Sequence, residues 1–174
     1  MPSKIQSILI GGLLAAVIGV FIAVASEVSG ASDPGNSSSA LGIVFQLLGC
    51  MAAMTSGLIA VWHYTNENEL TLTGGQGVGV GVLAGLVYAV GILILSYVLV
   101  GIGLLPSPEE SFERIRDSGA FDAPGAEQAE SITRMMLTWG IPIITTVIGV
   151  IMGLIGGAIG AAVFKRGADD EMSE

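Results

Sequence analysis

Hydrolytic, redox and metal chemistry draw on a short roster of side chains, and this sequence supplies few of them. It has one histidine, His63, and one cysteine, Cys50. A zinc-type site takes several N, S or O ligands at compatible spacing. His63 has Glu67 four residues on, but no second histidine and no accessible cysteine to join it. A nucleophilic triad needs a hydroxyl or thiol, a histidine and an orienting acid within reach of one another, and no such set assembles inside the apolar segments. The sequence therefore argues against an enzyme and implies no cofactor and no metal. Trp62, His63 and Tyr64 form a run suited to a membrane–water interface, where a ring is apolar on one side and wet on the other. Cys50 cannot form an intramolecular disulfide and reads as a small packing residue.

The other chemical suggestion is the run "GGQGVGVGVLAGLVYAVG" from Gly74 to Gly91. A dinucleotide-binding GxGxxG follows a strand, opens a helix and has an acidic residue further on. Here a polar loop precedes the run and uninterrupted apolar sequence follows it. A packing face fits better. Gly77, Gly81 and Gly85 recur every four residues, as do Gly149, Gly153 and Gly157, so each set shares one face of a helix. Gly49, Ala53 and Gly57, and Gly11, Ala15 and Gly19, repeat the pattern. Lipid tails are as apolar as leucine, so helices associate in a bilayer through close backbone approach, which small residues permit.

The elements that carry these stripes are four apolar blocks, at about residues 5–26, 41–64, 77–105 and 135–164. Hydrophobic residues make up 52% of the 174-residue chain and charged residues only 12%, about half the share in a soluble domain. Each block is long enough to cross a hydrocarbon layer of about 30 Å at about 1.5 Å per residue. Their length and lack of strict alternation exclude barrel strands. The expected fold is all-α: four antiparallel transmembrane helices with glycine-rich packing faces, one domain over residues 1–166, and an acidic disordered tail over 167–174. Ala23-Val24-Ala25 resembles a signal-cleavage site, but the first block is too long for a typical signal-peptide core.

Between the blocks, residues 28–39 read as a flexible polar loop and 65–75 as a short connection that makes its helices neighbours. Residues 106–134 form the longest connection. Ser107, Pro108 and Glu110 there make a helix start and Gly119 a stop. Phe112 and Ile115 share a face, so this piece is either an interfacial helix before the fourth span or a solvated charged turn.

Within the blocks, Gln46, Thr145 and Thr146 are the polar residues of most interest, lining a pathway or bonding between helices. Pro142 removes a backbone donor and is expected to kink the fourth helix. The stripes resemble the rotor proteolipids of ion-driven ATP synthases, and the chain's size resembles the small multidrug exporters. Both depend on a membrane-embedded carboxylate. Blocks two to four have none, and Glu27 falls just past the first block as drawn.

A further resemblance rests on the end of the second block, the entry "LTLTGGQGVGVGVLAGLV", the acidic stretch before the fourth block and the closing "AAVFKR". On these the chain resembles the bacterial membrane-protein family catalogued as domain of unknown function 4199. The resemblance implies architecture and no particular activity. The family usually has basic residues in the second connection, where this chain has Glu67 and Glu69.

The sequence reading is thus an integral membrane protein with a structural or protein-associating role, the alternative being a small channel or transporter. Its partners are the lipid bilayer and either further copies of itself or another membrane protein. A net charge of −9 without a basic stripe excludes nucleic acid. Four spans put both termini on one side. Lys4, Lys165 and Arg166 flank that side, and Arg114, Arg116 and Arg134 the other. Because Lys165 and Arg166 abut a span, cytoplasmic termini in a bacterial-type inner membrane are expected.

Overall fold

Small residues lie inside this molecule and large apolar ones outside. Ala15, Ala16, Ala52, Ala53, Ala60, Ala84 and Ala89 are buried, while Phe21, Leu47, Ile94 and Ile143 are well exposed. A water-soluble helix does the reverse, because burial of large side chains is its driving force. In lipid that force is absent between helices, so bulky side chains can face outward while small ones let the backbones meet.

The computed structural model describes residues 3–33, 36, 39–122 and 125–164. The elements are α1 (Lys4–Val28), α2 (Ala40–Asn68), α3 (Gly74–Gly101), α4 (Pro108–Asp117), α5 (Glu127–Met135), a π-helical turn (Met136–Gly140) and α6 (Ile141–Val163). The described residues contain no strand. Four helical stretches are long and apolar enough to cross a membrane: α1, α2, α3 and the run Glu127–Val163. The acidic tail, Lys165 and Arg166 lie outside the described residues.

Local chemistry explains where the helices begin. Ser3 and Ser39 accept from the amides of Gln6 and Gly42 at the starts of α1 and α2. Thr73 with Gln76, and Ser107 with Glu110, form reciprocal capping boxes at the starts of α3 and α4. After α4, Gly119 takes a φ of +79°, a left-handed conformation that glycine adopts without a Cβ penalty.

The helix contacts have a clear register. Along α3 and α6, Gly77 meets Ala161, Gly81 meets Gly157 and Gly85 meets Gly149, so rising numbers meet falling ones. The same holds for α1 against α2, where Gly11 meets Ala60 and Ser7 meets His63. Numbers rise together from Met54–Gly156 to Val61–Gly160 between α2 and α6, and from Gly12–Val87 to Gly19–Ile92 between α1 and α3.

The helix boundaries differ from the apolar blocks in three places. The helical stretch that carries the fourth apolar block starts earlier, at Glu127, and passes through a π-helical turn before α6. Pro142 is the second residue of α6, so the break in the α-helical ladder falls in the turn before it. A proline ring crowds the carbonyl four residues back, here that of Thr138, which lies within the wider turn. Glu27 lies inside α1 rather than beyond it.

Candidate functional site

The four long helices touch closely at one end and separate at the other. The close end is set by glycine. A Cβ built on Gly81 would collide with the Gly153 carbonyl oxygen and lie 2.8 Å from the Gly157 Cα. One on Gly153 would lie 2.7 Å from the Gly85 Cα, and one on Gly157 the same distance from the Gly81 Cα. Gly77 and Gly85 are equally confined, by Gly157 and Gly149. Gly149 has more room, with the Gly85 carbonyl oxygen 3.1 Å away. Gly57 on α2 joins the contact through the Gly153 carbonyl and the Gly157 nitrogen, and Gly156 faces the Met54 carbonyl. Real Cβ atoms do not tolerate such distances, so these backbones meet only because the side chains are missing.

Gly49 departs from its expected stripe. A Cβ there would meet nothing within 4 Å. Ala53 is buried, and one turn earlier the helices have diverged around a cavity of about 600 Å³. Its apolar walls include Ile22, Phe45, Ile92, Leu93, Val100 and Ile141. Its floor lies near Gly19, where an added Cβ would be 3.1 Å from the Tyr88 hydroxyl.

Gln46 lines this cavity, and so does Pro142. Thr145 and Thr146 do not, so the structure does not bring the three predicted polar residues together. The Thr146 hydroxyl instead donates to the Pro142 carbonyl at 2.8 Å, the usual way a helix absorbs such a group. Thr55, Ser56 and Thr65 likewise donate to carbonyls of their own helix. Leu93 is half-buried in the cavity wall.

A lid covers the polar end of the cavity. Pro106, Pro108 and Ser111 line it from the start of α4, and Glu27 lines it from the last turn of α1. Arg114 of α4 donates to Glu27 Oε1 at 2.6 Å, and Asp33 stands 3.9 Å from the same guanidinium nitrogen. The hydrogen bond from Arg114 to Glu27, and the attraction behind it, raise the guanidinium pKa further. Phe112, at 1% exposure, anchors the helix. Its ring stacks on Phe121 at 5.9 Å between centroids, and the Arg134 guanidinium lies 4.7 Å over its face. Arg134 also reaches Glu109 at 3.2 Å. The solvated-turn alternative for this segment is thereby set aside: Phe112 is buried and Ile115 half-buried.

At the opposite end, His63 Nδ1 pairs with the hydroxyl of fully buried Ser7 at 3.0 Å, and Lys4 Nζ stands 5.8 Å from the Tyr64 ring centre. No group of three His, Cys, Asp or Glu able to hold a metal occurs among the described residues.

Sequence reasoning missed Glu27 and Tyr88. An apolar block drawn two residues short of the end of α1 left Glu27 out, and Tyr88 reads as one more aromatic in an apolar run. Their shared cavity exists only once α1, α2 and α3 splay apart.

No curated protein and no solved structure matches the chain significantly. The sequence profile of the protein family of unknown function DUF4199 matches residues 8–166. That span runs from the first turns of α1 past the end of α6, taking in the glycine contacts, the cavity and its lid, and the chain belongs to this family.

Proposed function

We propose that the protein is a non-enzymatic, multi-pass membrane protein whose four-helix body acts as a structural unit that associates with copies of itself or with another membrane protein. The observation that supports this best is the backbone contact among Gly57, Gly81, Gly85, Gly153 and Gly157. Helices that meet at this distance leave no room for a water-filled path between them. The cavity then ends blindly at Tyr88 and Gly19. The large apolar side chains facing outward suit a lipid solvent and provide the surface through which association would occur.

The second reading, a channel or transporter, is favoured by Gln46 standing in the cavity wall and requires the glycine contact to part. Purified protein in liposomes separates the two. The structural reading expects ion and small-solute fluxes no greater than those of protein-free vesicles. Flux above that baseline overturns it in favour of transport.

A further inference from the structure

Three side chains in the cavity wall, Tyr88, Gln46 and Ser96, differ from the other polar groups of the spans. Thr55, Ser56, Thr65 and Thr146 bond to their own helices, and Ser7 bonds to His63. Tyr88 is 5% exposed, yet its hydroxyl makes no hydrogen bond among the described residues. Gln46 and Ser96 line the same cavity, and their side chains are likewise unbonded among the described residues. Gln46 is exposed and Ser96 half-buried, so Tyr88 is the deeply buried one of the three, its hydroxyl opening onto the cavity. A hydroxyl set in an apolar wall without a protein partner is costly, and it points to something in this space that partners it.

The remaining walls define its chemistry. Glu27 is the only charged residue among the lining residues. It stands at the mouth and is already paired with Arg114. Deeper in, an ionic head would be left without a counter-charge. The hydroxyls and amide all offer hydrogens, which an oxygen acceptor satisfies. Phe45, Ile92 and Leu93 supply apolar contact along the way. Tyr88 and Ser96 lie two turns apart on one face of α3, about 12 Å at 1.5 Å per residue.

We propose that this cavity is a binding site for an uncharged, membrane-soluble molecule with an apolar body and a hydrogen-bonding oxygen, the oxygen pairing with the Tyr88 hydroxyl and α4 covering the mouth. An isoprenoid alcohol has this chemistry, and the cavity volume falls in the range of small-molecule sites.

Binding of farnesol to the full chain in lipid nanodiscs tests the site, with farnesyl phosphate and farnesylamine as probes that share its tail. Gly49→Leu would fill the cavity without meeting a neighbouring helix, because nothing lies within 4 Å of its Cβ position. Gly79→Leu enters equally open space but is not among the lining residues, and controls for the added bulk. Farnesol is expected to bind the parent and Gly79→Leu alike, and Gly49→Leu at least about tenfold more weakly. Tyr88→Phe, which keeps the ring, is expected to weaken binding about three- to tenfold, the loss of one hydrogen bond. Unchanged unfolding temperatures verify that the variants are folded. Four results overturn the proposal: no farnesol binding to the parent, equal binding to Gly49→Leu, equal or tighter binding of either charged probe, or a phospholipid held by the parent, lost from Gly49→Leu and not displaced by farnesol.

Discussion

Single atoms decide the glycine contacts. Gly81→Leu and Gly153→Leu must each push a side chain into a neighbouring backbone, since even a Cβ there lies under 3 Å from the facing helix. Overpacking of this kind typically costs about 1–3 kcal/mol, read as a loss of unfolding free energy in detergent or bilayers. Ile94→Ala, at a side chain 59% exposed, is the comparison and should cost less. Parent-like melting of both glycine variants would contradict the contact. Glu110 carries a second residue-scale prediction. The Ser107 backbone N–H and then its hydroxyl lower the Glu110 pKa below its ordinary value. A depressed folded-state pKa stabilises the start of α4 above the ordinary carboxylate range, and this contribution is lost as pH falls through the folded value. Amide protection at residues 111–114 should therefore drop in acid, and Glu110→Gln should remove that dependence.

At the scale of elements, α4 is a helix of ten residues, too short to be stable alone in water. Its reciprocal cap at Ser107 and Glu110 specifies where it starts, and Phe112 specifies where it docks. The exposed pair between Arg134 and Glu109 contributes little beside that burial. Phe112→Ala should release α4 and speed trypsin cleavage at Arg114 and Arg116, while Arg114→Ala should leave the helix docked through Phe112. Equal cleavage of parent and Phe112→Ala would show that the ring does not hold the lid. Most of this element was legible in the sequence, because caps and stops act over three or four residues. Its docking was not, because Phe121 and Arg134 lie far enough along the chain that only the fold brings them to the Phe112 ring.

For the whole molecule, four crossings would put both termini on one side of the bilayer, and from Lys4, Lys165 and Arg166 in the sequence we propose that this side is cytoplasmic. A C-terminal reporter enzyme active in the cytoplasm is the expected outcome, and activity confined to the outer side would reverse the orientation. With cytoplasmic termini the lid and the cavity mouth would face outward, because α4 lies in the connection between the third and fourth long helices, on the side opposite the termini.

The sequence by itself determined that the chain has four helical stretches long and apolar enough to cross a membrane. Apolar blocks without charge have few alternatives to crossing a bilayer, and the four-residue glycine spacing puts small residues on one face by helical geometry alone. These are local properties, written in runs of about twenty residues. Only the tertiary structure decided what each small residue does. Gly81 and Gly49 look alike in the sequence, yet one lies against a carbonyl and the other opens into a cavity. Gln46 and Thr146 look like partners, yet one lines that cavity and the other bonds to its own helix. The difference lies in how far the helices have diverged at each level, and divergence is a property of several helices together that no single segment encodes.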